Sequence, residues 1–144
     1  MALRTWREQC PELRALWDEA APVTEWKGIT LGEAGDANAV RVVKINIINT
    51  GLSGDVPAAL GSLTALNALS LGGNELTSVP KELGGLTALK TLNLSGNQLT
   101  SVPAALGLLS ALRTLNLSGN QLTSLPAAFG GLTALTEGRC RLTQ

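Results

Sequence analysis

Apolar residues recur through the middle of this chain with a period of 23, and polar residues fill the gaps in the same order each time. Three stretches align in register: Leu66-Asn-Ala-Leu69-Ser-Leu71-Gly-Gly-Asn74-Glu-Leu76, then residues 89–99, then residues 112–122. In each, two leucines stand two apart, as Leu69/Leu71, Leu92/Leu94 and Leu115/Leu117. That spacing sends both side chains to one face of a strand and turns the residues between and beside them the other way. Leu66, Leu76, Val56, Leu60 and Leu63, with their images one period on, complete an inward-facing set. One turn alone leaves these side chains in water, so the pattern predicts stacked turns sharing a continuous core.

The polar positions predict as much. Each unit carries an asparagine at one phase, Asn74, Asn97 and Asn120, where the strand turns away and buried backbone groups need partners. A side-chain amide both donates and accepts. These three residues are therefore expected to form a buried ladder, with Gly73, Gly96 and Gly119 permitting the tight backbone before it. A Val/Leu-Pro pair follows at Val56-Pro57, Val79-Pro80, Val102-Pro103 and Leu125-Pro126. Proline suits the first position of a helical turn. Short helices are predicted over Ala58-Ala59-Leu60 and its images, ended by Gly61, Gly84, Gly107 and Gly130.

The signature L-x-x-L-x-L-x-x-N-x-L, in units of about 20 to 29 residues, is that of the leucine-rich repeat, and all three stretches fill it. The chain resembles that family. The resemblance implies an α/β fold: a leucine-rich-repeat solenoid with short parallel β-strands on the concave face, short helical turns on the convex face and a helical N-terminal cap. The first repeat is degenerate and one residue longer, with Val42, Ile45, Ile47 and Leu52 in the leucine positions and Thr50 in place of the asparagine. Its second half, Leu52-Ser-Gly-Asp-Val-Pro-Ala-Ala-Leu-Gly-Ser-Leu63, resembles the plant-type variant. The later Leu-Thr-Ser-Val-Pro units resemble the intracellular class.

Three regions follow: a capping region over 1–40, about four repeats over 41–135, and a degenerate C-terminal cap or truncated repeat over 136–144. All three tryptophans lie in the first region. Pro11 is expected to open a helix to about Ala20, with Leu13, Leu16 and Trp17 on one face. Trp6 and Trp17 read as cap core or, alternatively, as an exposed docking surface. Trp26-Lys-Gly-Ile-Thr-Leu31 resembles the cap strand of plant receptor-type repeats, with Leu31 where that family has cysteine. In the last region Arg139 and Arg141 flank Cys140 and would dress the open edge with charge.

Composition removes several function classes. The chain has no histidine, and its formal net charge is zero. Ser-His-Asp and Cys-His catalysis are impossible, histidine-dependent zinc sites go with them, and no phosphate-cradling glycine loop is present. No catalytic residue, metal site or cofactor is predicted, and the chain reads as a non-enzyme. Between Ile45 and Thr136 the charged residues are Asp55, Glu75, Lys81, Glu82, Lys90 and Arg113, too few and too scattered for a nucleic-acid partner. Cys10 and Cys140 would sit roughly 20 Å apart at opposite ends of the stack, beyond the ~7 Å reach of a disulfide. Unpaired thiols favour a reducing compartment. The first residues show no signal-peptide run, and no segment is long and apolar enough to span a membrane. The expectation is a cytoplasmic protein with no membrane partner.

A solenoid binds through its concave sheet. The residues predicted to face solvent there are Lys44, Asn46, Ile48, Ser70, Thr91, Asn93, Thr114 and Asn116, with Lys90 and Arg113 along one margin. Ile48 is the apolar exception among them. Residues 91–101 and 114–124 are the same eleven residues, which also fits duplication of a stable unit without a tailored site. The expected function is a non-catalytic protein–protein interaction module binding a protein partner through the concave face. Two alternatives stand beside it. One is the sensing or recruiting portion of a larger enzyme, such as a kinase, Roco GTPase or ubiquitin ligase. The other is a structural protein that self-associates as a homodimer through the C-terminal edge.

Overall fold

The computed structural model describes residues 2–33 and 40–135. Two helices, α1 (Ala2–Gln9) and α2 (Pro11–Leu16), open the chain. Strand β1 (Ile29–Glu33) runs antiparallel to β2 (Val40–Asn46). Strands β4 (Ala68–Ser70), β6 (Thr91–Asn93) and β7 (Thr114–Asn116) then add in parallel, giving the sheet order β1-β2-β4-β6-β7. The register pairs Ile45 with Leu69, Leu69 with Leu92 and Leu92 with Leu115. This is the one-turn-per-strand stack that the 23-residue period demands. A second, two-stranded parallel sheet joins β3 (Ser53–Asp55) to β5 (Glu75–Ser78) just beyond the asparagine turns.

One apolar core runs the length of the stack, from Trp6, Trp17 and Trp26 in the cap to Leu115, Leu117 and Leu132. Leu69, Leu71, Leu92 and Leu94 are fully buried, whereas Leu122, Leu125, Phe129 and Leu135 in the last described turn are only partly so. The gradient is what stacking physics gives when each turn hides its neighbour.

The asparagines fill the turns as side-chain bridges. Asn97 Oδ1 accepts from the Leu76 N–H at 3.0 Å, and its Nδ2 donates to the Leu71 and Leu94 carbonyls, each at 3.0 Å. Asn120 repeats the pattern with Leu99, Leu94 and Leu117. Asn74 does more: its Oδ1 accepts from the N–H groups of Thr50 and Leu52 and from Thr50 Oγ1. The threonine of the degenerate repeat thus leans on its neighbour's asparagine. Gly73, Gly96 and Gly119 all have φ near +60°, and the first repeat puts Asn49 (φ 53°) at the same place. Asparagine is among the few side chains that tolerate this left-handed conformation.

Three local expectations need correction. The outer turns are 3-10 helices, Ala58–Ser62, Lys81–Gly85, Ala104–Leu108 and Ala127–Gly131, and each proline sits at the extended residue before the turn. Gly61, Gly84, Gly107 and Gly130 do not end these turns but lie within them. For the first three, the reason for glycine is the stacking distance. A Cβ on Gly61 would collide with the Glu82 carbonyl, and one on Gly84 with the Ala105 carbonyl. Gly84→Ala is expected to lose about 2 kcal/mol by overpacking. Gly130→Ala, where a Cβ would meet no described atom within 4 Å, is expected to leave the urea midpoint unchanged or slightly raised.

The third correction concerns α2, which stops at Leu16 instead of continuing to Ala20. Trp17 turns extended (φ −119°, ψ 111°), and its N–H caps the Leu13 carbonyl. That turn lets its ring stack on Trp26 at 4.9 Å and 12° and meet Trp6 edge-on at 6.0 Å. All three tryptophans are buried, so none is a docking surface. The C-terminal cap or truncated repeat, Arg139, Cys140, Arg141 and the homodimer edge lie outside the described residues.

Candidate functional site: the concave face

Each strand of the main sheet is three residues deep beyond β2, so its alternation gives one buried middle residue and two that face out. The buried rank is Ile45, Leu69, Leu92 and Leu115. Flanking it are two outward ranks, Lys44–Ala68–Thr91–Thr114 and Asn46–Ser70–Asn93–Asn116. Neighbours within a rank are about 4.8 Å apart. A third rank lies where the strands end, with Ile48 in the place taken by Gly72, Ser95 and Ser118 in later turns. Lys90 and Arg113 stack on adjacent turns just before β6 and β7, the Arg113 N–H donating to the Lys90 carbonyl at 2.8 Å. The predicted face residues are thus brought onto one continuous surface.

They do not all stand free on it. Asn93 Oδ1 accepts from the Ser95 N–H at 3.0 Å and from Ser95 Oγ at 2.7 Å, and Asn116 does the same with Ser118 at 3.1 and 2.8 Å. These are side-chain turns that close the strand ends. Asn46, in the same rank, makes no such bond among the described residues, and Ile48 offers it no hydroxyl. Lys44, Asn46, Ile48, Lys90 and Arg113 are exposed, while Ser70, Thr91, Asn93, Thr114 and Asn116 are half-buried.

Strands β2, β4, β6 and β7 carry no acid. The described carboxylates Asp55 and Glu75 lie in the side sheet, and Glu82 in an outer turn. Strands β2, β4, β6 and β7 therefore present a shallow polar strip with cations on it and no carboxylate. Among the described residues, no cluster of three metal-ligating side chains occurs. Burial first, and then the nearby Glu12 carboxylate, push the Cys10 thiol above its ordinary range. Its side chain packs in the cap core. The sheet also extends one strand further than the repeat pattern showed, because β1 of the cap lies beside β2. The Gly28 carbonyl accepts from the Asn46 N–H at 2.7 Å, which brings Lys27 to the margin of the face. No repeat register covers the cap, so no sequence signal marked Lys27.

Comparison with known proteins fits this geometry. The profile of the leucine-rich repeat region matches residues 31–141. A receptor protein kinase of Oryza sativa subsp. japonica, WSS1, is 43% identical over 61 residues, 42% of this chain and 6% of the kinase. The BIR2 ectodomain of Arabidopsis thaliana superposes with a TM-score of 0.79 at 28% identity, over 93% of this chain and 74% of that one. The ectodomain of the plant membrane receptor kinase GASSHO1/SCHENGEN3 of Arabidopsis thaliana is also similar, and its structure is a complex with Casparian Strip Integrity Factor 2. It gives a TM-score of 0.75 at 32% identity, over 85% of this chain and 15% of that one.

These similarities overturn the cytoplasmic expectation, because the matched structures are receptor ectodomains. The missing cysteines misled for a physical reason: the cap is closed by stacked tryptophans, which work in any redox compartment. No described helix is long and apolar enough to cross a membrane. With three-quarters of the chain matched by the repeat profile and strands β2, β4, β6 and β7 in parallel repeat register, the chain belongs to the leucine-rich-repeat family.

Proposed function

We propose that this chain is a recognition module that binds a protein or peptide partner through its concave face, in the manner of a receptor ectodomain and without chemistry of its own. The observation that carries this reading is the pair of outward ranks running across four strands. They form a surface of side chains from separate turns, held at fixed spacing by the core beneath. Rigid spacing lowers the entropy lost on binding an extended partner.

Thr91 and Thr114 are the better probes of the face, because Asn93 and Asn116 are already tied into strand-end turns. Peptides selected against the chain from a displayed random library should lose about tenfold or more in affinity for Thr91→Arg/Thr114→Arg, with circular dichroism unchanged. Binders indifferent to that double variant would place recognition elsewhere on the molecule.

A second reading is that the module serves as the recruiting part of a larger receptor kinase. The similarity to a kinase of which this chain spans about 6% favours it. Fusion of the kinase region of such a protein to this chain would then give peptide-dependent phosphorylation. Absence of any peptide dependence would count against it.

A further inference from the structure

We infer that the cleft between the cap and the first repeat seats an acidic, apolar segment of the partner: a carboxylate held by Lys27 and Lys44, and an aliphatic or aromatic side chain resting on Ile48. This rests on the concave-face reading and names where that face is most selective.

The cleft has a volume of about 410 Å³, and Leu16, Lys27, Asn46, Ile48 and Asn49 are among its walls. It is built from both the cap and the repeat array, so it occurs once, unlike the surface features that recur every turn. At two of the three outward positions of the first repeat the residue departs from all the later ones. Lys44 stands where Ala68, Thr91 and Thr114 stand, and Ile48 where Gly72, Ser95 and Ser118 stand. The substitution of Ile48 for a small residue leaves a large apolar side chain 45% exposed. It also leaves Asn46 Oδ1 without the serine hydroxyl from which Asn93 and Asn116 Oδ1 accept. Among the described residues, the other large apolar side chain in this condition, Leu108 at 68%, is on an outer turn, away from the concave strands.

The electrostatics select the occupant. Lys27 and Lys44 are exposed and form no ion pair among the described residues. Among the described residues, no carboxylate is in the walls of the cleft. Lys44 is two residues from Asn46 on the same face of β2, about 7 Å along the strand. A partner presenting an acid beside an apolar side chain would thus meet Lys27, an unbonded amide and an apolar floor in the cleft, with Lys44 next along the strand. Asn49 sits in the left-handed conformation with its side chain packed over Gly73, where no Cβ could be accommodated.

The test is selection of a displayed random peptide library on the intact chain. Enriched peptides should pair Asp or Glu with Leu, Ile or Phe. Ile48→Asp and, separately, Lys27→Glu should each weaken the selected peptides by about tenfold, and Lys27→Glu should lessen their salt dependence. Both residues are exposed, so circular dichroism should stay unchanged. Enrichment of basic or purely apolar peptides would overturn the inference. So would acidic, apolar binders indifferent to both single variants. If such binders were lost only in Thr91→Arg/Thr114→Arg, the concave-face reading would stand and the cleft assignment would fall; indifference to all of these variants would remove both.

Discussion

Replacing Asn97 by leucine is expected to remove about 4 kcal/mol of folding stability. The two side chains are of similar size, so the change leaves little cavity. What it removes is a set of hydrogen bonds that nothing else in the core can make. The Leu76 N–H loses its acceptor, and the Leu71 and Leu94 carbonyls lose a donor. Asn97 is buried at 6% exposure, so water cannot take over, and each stranded group costs about 1 to 3 kcal/mol. Urea unfolding should show a lower midpoint with an unchanged slope. Asn120→Leu, in a half-buried rung of the last described turn, should lose about half as much. A midpoint for Asn97→Leu equal to that of the exposed neighbour Gln98→Leu would refute the ladder.

Trp17→Ala should be equally severe, at about 4 kcal/mol, but its effect should start at one end. The indole stacks on Trp26, meets Trp6 edge-on, and donates from Nε1 to the Lys27 carbonyl at 2.9 Å. Arg7 Nε holds the Trp17 carbonyl at 2.6 Å and its guanidinium pairs with Glu19, so the same residue also anchors α1. Without the ring, the cap loses the centre of its aromatic stack and the first turn of the solenoid loses its cover. Repeats touch mainly their neighbours. Hydrogen exchange should therefore quicken most in β1 and β2 and progressively less toward β7. Uniform quickening across the strands would contradict the cap's role as a local cover.

These two residues mark the limits of what the sequence revealed. Asn97 was legible because three copies of one unit put an amide at one phase, where any turning strand needs a donor and an acceptor. The same redundancy exposed the strands, since leucines two apart repeat within a longer period. Trp17 was legible only as apolar. Its extended backbone, and hence the early end of α2, answers to the shape of Trp26 and Trp6, which no local periodicity carries. Helix α1 was invisible for a related reason: eight residues with no repeat to compare offer too little pattern.

Two further shortfalls have the same source. Gly61, Gly84 and Gly107 looked like helix ends because a single unit contains no information about the distance to the next one. Asn93 and Asn116 face outward as the strand phase placed them, but the phase carried no sign that their oxygens are engaged two residues onward. The outward ranks of the concave face could be placed from the strand phase alone. The place of Lys27 at the margin could not, because it lies just before the antiparallel strand β1, which belongs to no repeat.

The central claim is that recognition occurs on the concave face, and at 14.9 kDa the chain suits a direct map by NMR. A peptide obtained by library selection would be titrated into the ¹⁵N-labelled protein while the backbone amide shifts are followed. Perturbations should cluster at Lys44, Asn46, Ile48, Ser70, Thr91 and Thr114, and leave the outer turns unmoved. Shifts confined to the outer turns Lys81–Gly85 and Ala104–Leu108 would place binding on the opposite side and contradict the account.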